Sequence, residues 1–124
     1  MMIFGDRRKH QRIRYDGQVT IFKQSGDSET VTCENLSCGG LAFKSDTPFY
    51  CNEQIAIALP ITNPTTAQDE TVDLICNVTH IIELTYPEGH VRVGIEFHKP
   101  EKAKVKLIRK FIDYLFDQGY QKAC

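Results

Sequence analysis

From Gln18 to Phe97 apolar residues recur at every second position or in short runs, and turn residues cut this pattern into six strand-length pieces. Gln18-Val19-Thr20-Ile21-Phe22-Lys23 reads as a strand that stops at Ser25-Gly26-Asp27. Glu29 to Glu34 alternates around Val31 and Cys33. Asn35 to Gly40 breaks the pattern, Leu41-Ala42-Phe43-Lys44 resumes it, and Ser45-Asp46-Thr47-Pro48 stops it again. Gln54 to Pro60 places Ile55, Ile57 and Leu59 on one face and alanines on the other, and Asn63 to Glu70 reads as a polar connection. The longest strand, Thr71 to Leu84, is predicted to pair with His90 to Phe97 across the hairpin turn Tyr86-Pro87-Glu88-Gly89. Parallel strands need crossover helices, and none separates these strands, so the pattern predicts an antiparallel sheet closed into a barrel.

Helical spacing appears once. Val105, Ile108, Phe111, Ile112, Leu115 and Phe116 share one face of a helix predicted over Glu101–Gln118, with Pro100 at its start and Gly119 at its end. So broad an apolar stripe must cover something. The barrel itself is the expected surface, and docking of a partner or a second protomer is the alternative.

A chain of 124 residues makes one domain and buries a core without metals or disulfides. No stretch approaches the roughly 18 apolar residues that span a bilayer. The opening residues run from apolar to basic, the wrong order for a secretory signal, so a cytoplasmic protein is expected. Five cysteines, an odd number without zinc-ligand spacing, read as free thiols that pack as small hydrophobes.

The net charge of −1 conceals a strong asymmetry. Residues 7–14 hold Arg7, Arg8, Lys9, Arg12 and Arg14 and no acid, which leaves the rest of the chain net acidic. A compact basic spot suits a small, highly charged anion better than a long nucleic acid, which calls for a wider basic surface.

Two short elements carry the candidate chemistry. In Arg8-Lys9-His10-Gln11-Arg12 the arginines stand four apart. Their planar forks donate paired hydrogen bonds to phosphate, and their flat faces stack on bases. In extended chain, four residues span roughly 13 Å, enough to reach separate parts of one dinucleotide. The second element is Asn35-Leu36-Ser37-Cys38-Gly39-Gly40, between two predicted strands. Asn35 and Ser37 can fold onto nearby backbone N–H groups, while Gly39-Gly40 permits positive φ and close approach of a ligand.

In this order on a small β-barrel, RxxxR followed by NxSxxG resembles the PilZ domain family. Asp6-Arg7-Arg8, Gly40-Leu41-Ala42-Phe43 and Val93-Gly94-Ile95-Glu96-Phe97 extend the resemblance over about residues 6–116. It implies a mainly β fold: a six-stranded antiparallel PilZ-type β-barrel with a C-terminal α-helix. It also implies a bacterial sensor that binds the second messenger cyclic di-GMP, changes conformation and relays the signal to a protein partner. Arg8 and Arg12 would grip phosphates and stack on guanines. Asn35, Ser37 and Gly40 would hold a guanine edge, and Arg7 would assist. Asn35 stands where the family often has aspartate; asparagine keeps an acceptor oxygen but drops the negative charge.

The expected division is a flexible basic segment over residues 1–16 and a barrel with its helix, about residues 101–118, over 17–124. The alternative is a PilZ-like protein-interaction module with weak or no nucleotide binding. A long nucleic acid is not expected as partner. Nor are a membrane, a cofactor or a metal. Catalysis is not expected either: His10, His80, His90 and His98 form no dyad or metal pattern, and Ser37 lies in no nucleophile elbow.

Overall fold

The computed structural model describes residues 10–123. Seven strands precede one helix: β1 (Ile13–Arg14), β2 (Gln18–Lys23), β3 (Ser28–Leu36), β4 (Gly40–Ser45), β5 (Gln54–Asn63), β6 (Gln68–Glu83), β7 (Val91–Phe97) and α1 (Lys102–Asp117). The sheet runs β1-β3-β2-β5-β6-β7-β4, and β4 pairs back onto β3. β2 to β7 therefore form the expected closed, six-stranded antiparallel barrel. The polar connection is shorter than its composition predicts, because Asn63 and Gln68 already pair across it.

Alternation fills the barrel. Ile55, Ile57, Leu59 and Ile61 of β5 face Val72, Leu74, Cys76 and Val78 of β6 in the interior, with Ile21, Phe43, Val93 and Ile95 around them. α1 lies on the barrel beside β5 and β1 and buries Ile108, Phe111, Ile112 and Leu115. Removing four such side chains from water contributes roughly 6–12 kcal/mol before entropy is counted. The helical stripe thus covers the barrel. Gly119, at φ +96°, ends the helix as expected of a residue free of the Cβ penalty.

Two bulges interrupt the alternation. In β3, Val31 and Cys33 point inward, and strict period two would send Asn35 inward as well. A register shift between Cys33 and Asn35 inserts Glu34, so Asn35 pairs with Ala42, which is buried but outside the core cluster, while Leu36 regains the core. In β6, Val72, Leu74, Cys76 and Val78 point inward, and a second shift inserts Thr79, so His80 turns outward opposite Gly94. Bulges of this kind re-aim side chains.

Chain ends meet on one side of the barrel. β1 pairs with the end of β3 (Ile13 opposite Leu36, Arg14 opposite Asn35). Its other side takes the segment after α1: Arg14 N–H donates to the Gln121 carbonyl at 2.8 Å, and Ala123 N–H to the Arg12 carbonyl at 2.9 Å. Ile13 is fully buried. Residues 12–15 are thus tied to β3 and to the segment after α1. A single apolar residue leaves no periodicity to read, yet it anchors this segment. Among the described residues no helix is long and apolar enough to cross a membrane.

Candidate ligand-binding site

β1 carries Arg12 to the end of β3, where the NxSxxG element begins. Arg7 and Arg8 lie outside the described residues. Of the expected site residues, Arg12, Asn35, Ser37 and Gly40 come together on one face. Arg12 lines a recess of about 580 Å³ with His10, Ser37, Gly39, Gly40 and His80, and a smaller adjoining one of about 120 Å³ with Asn35, Ala42, His80, Arg92 and Gly94. It also reaches a larger groove with Arg14, Asn35 and Arg92.

The four residues differ in what they offer. The buried Ser37 hydroxyl accepts from the N–H groups of Gly39 (3.1 Å) and Gly40 (3.2 Å) and stands 3.3 Å from the Gly40 carbonyl, which it can reach as donor. Ser37 N–H donates to that same carbonyl at 2.8 Å. Ser37 therefore shapes the turn from inside, as an ST-turn does. Asn35 is half-buried, and its amide makes no hydrogen bond among the described residues, so both its acceptor and its donors remain open.

Neither Gly39 nor Gly40 adopts the positive φ that their type permits. They are needed for closeness instead. A Cβ on Gly40 would lie 2.0 Å from the Ile95 carbonyl oxygen of β7, and one on Gly39 would lie 2.5 Å from the His10 ring. The pair lets β4 press against β7 and lets the basic segment lie on the turn.

Pairings around the barrel extend this face into a row: Asn35 on β3 opposite Ala42 on β4, Ala42 opposite Gly94 on β7, and Gly94 opposite His80 on β6. Both ends are set by the two bulges, and the middle two residues carry almost no side chain. Beside the row, Lys44, Arg92 and Ile82 form the next outward rank.

Arg92 is tied to the bulge residue Glu34 by two hydrogen bonds, Nε to Oε1 at 2.5 Å and Nη2 to Oε2 at 3.1 Å, with Lys44 3.6 Å away. The Arg92 hydrogen bond holds the Glu34 carboxyl below the usual carboxylate range despite partial burial, and Lys44 adds to it. Glu34 so fixes one guanidinium beside Asn35. His80 is a residue of this face that alternation alone misses, because the residue inserted in β6 inverts the face it assigns, whereas Arg92 and Glu34 lie outward by alternation. Gly94, in the quoted VGIEF run, is the one legible signal.

Forked cations, an unengaged amide and ring faces around a shallow floor suit a flat anionic ligand. Among the described residues no three His, Cys, Asp or Glu side chains gather as metal ligands.

Known folds agree with this architecture. Bacillus subtilis MotI/DgrA, an inhibitor of motility, superposes with a TM-score of 0.72 at 18% identity, over 92% of this chain and 53% of its own. The complex of MrkH from K. pneumonia with c-di-GMP gives 0.69 at 18% identity, over 93% and 55%. The PilZ domain of YcgR from Escherichia coli with c-di-GMP gives 0.66 at 14% identity, over 92% and 95%. The chain thus spans about half the length of the first two proteins. No curated protein matches it. The family model described as "PilZ domain" matches residues 6–114, nearly the whole chain, and the chain accordingly belongs to the PilZ domain family.

Proposed function

We propose that this chain is a cyclic di-GMP-binding effector domain whose ligand lies across Arg12, Asn35 and the Ser37–Gly40 turn, with Arg8 and Arg7 as further ligand-binding residues. The reading rests on one observation above all. Arg12 of the first motif shares one recess with Asn35 and an adjoining one with Ser37, Gly39 and Gly40 of the second. The ligand carries two phosphates and two guanines. Arg12 and Arg8 serve the phosphates, Asn35 a guanine edge, and Ser37 and Gly40 the shape of the turn.

Binding is relayed through β1. The Arg12 carbonyl is held by Ala123 N–H, and Tyr15, just past β1, packs edge-on against Phe111 of α1 at 5.5 Å between ring centroids. A ligand that pulls on Arg12 therefore acts on the post-helix segment and on α1, the surface a protein partner reads. The domain works by binding rather than by catalysis.

Calorimetric titration of the whole chain tests this. Cyclic di-GMP binds at micromolar Kd or better, about −8 kcal/mol, while GMP binds far more weakly. Arg12→Ala or Arg8→Ala removes about 2–4 kcal/mol of binding, the range for losing one partner of a charge pair, with the fold intact. Binding of either variant within threefold of the wild type would sink the role given to that arginine.

A further inference from the structure

We infer that His80 is a specificity-determining residue of this site: as a neutral imidazole it supplies, at the far end of the row, the acceptor for a guanine edge. The inference rests on the cyclic di-GMP reading above and deepens it. His80 has no place in either motif; its position comes from three features of the fold.

First, the bulge at Thr79 turns it. Without the inserted residue, the inward run Val72, Leu74, Cys76, Val78 would carry position 80 into the core. Second, Gly94 opposite leaves the ground before it clear. A Cβ there would come within 3.3 Å of the His80 Cβ, and any longer side chain would stand over the row. Third, the ring has a defined tautomer. Its Nδ1 lies 2.8 Å from the Thr79 carbonyl oxygen. A carbonyl only accepts, so Nδ1 carries the proton, and in the neutral form of the ring Nε2 is then the nitrogen with the lone pair. No hydrogen bond engages Nε2 among the described residues.

The two ends of the row are then chemically complementary. Asn35 and His80 each offer an acceptor, separated by Ala42 and Gly94, which between them carry a single methyl group and leave a floor on which a purine ring can lie flat. Guanine presents N1–H and its 2-amino group as adjacent donors. Adenine has an acceptor at N1 and lacks the 2-amino group, so a lone pair facing that position repels it. A site bonded to such donors rejects an analogue lacking them more strongly than shape alone can. His80 also lines two of the three recesses that contain Arg12, so its ring lies within reach of a ligand that Arg12 holds in either of them.

The test compares cyclic di-GMP with cyclic di-AMP on the wild type, His80→Ala and His80→Gln, with amide spectra to verify the fold. His80→Ala is expected to weaken cyclic di-GMP at least tenfold and to narrow its preference over cyclic di-AMP by a similar factor. Gln restores an acceptor and recovers much of both. In the free wild type, ¹⁵N shifts of the ring should show a protonated Nδ1 and a bare Nε2, with Nε2 moving on addition of ligand. If the wild type binds cyclic di-GMP but His80→Ala binds and discriminates equally well, the inference is wrong and the function stands. If the wild type binds neither dinucleotide, both are wrong.

Discussion

Gly40 shows how a motif residue can be needed for a reason other than touching the ligand. Its place against the Ile95 carbonyl leaves no space for a methyl group, and backbone cannot step aside as a flexible side chain can. Gly40→Ala is therefore expected to destabilise the fold by about 1–3 kcal/mol or more, as overpacking does. A denaturant-unfolding midpoint unchanged from the wild type would refute the packing account. Gly39→Ala meets only the His10 ring, which can rotate away, and should cost less. Much of this site was legible at the level of residue type: Arg12, Asn35, Ser37 and Gly40 were expected to act together and do converge. What the types alone left open was the division of labour. Ser37 turns its hydroxyl into its own loop while Asn35 keeps its amide unengaged, a difference set by burial.

Among the elements, strands and helix followed from periodicity because nearly every buried position obeys it. The departures are local. Asn35 and His80 face outward only because Glu34 and Thr79 are each inserted opposite a regular partner strand, and an extra residue leaves no mark in composition. β1 escaped notice because one buried isoleucine makes no pattern. α1 presents another kind of departure. Its first turn holds no acid and its last turn no base, and Lys102, Lys106, Arg109 and Lys110 precede Asp113 and Asp117, opposite to what the helix dipole favours. Lys102→Glu should therefore stabilise the protein by about 0.3–1 kcal/mol at low ionic strength, helped by a new i,i+4 pairing with Lys106. The gain should shrink in high salt; a lower melting temperature in dilute buffer would contradict it.

For the molecule as a whole, the closed interior makes alkaline pH the revealing variable. Burial pushes the thiols of Cys33 and Cys76 from an ordinary 9.0 up to about 12. Burial, then the neighbouring Cys33, Tyr120 and Asp16, raise the Tyr15 hydroxyl from 10.0 to about 12. All three are neutral when protonated, and the fold prefers that form. Their stabilisation is complete below the unfolded values and declines as pH rises from about 9 towards 12. Urea midpoints measured across that interval should fall steadily. Tyr15→Phe should lessen the fall above pH 10, and an unaltered slope in that variant would show that the phenol has no part in it.

The pairing of β1 with the residues after α1 has a last consequence, for association between copies. A strand left with unpaired N–H and C=O groups is a template for another chain, and closure removes that hazard from β2 to β7. The outer margin of β1 lies at the end of this strand order, and the stretch from Gln121 to Ala123 runs along it. The same few residues that couple the basic segment to the helix thus also occupy the margin of β1, where a neighbouring molecule could otherwise add a strand.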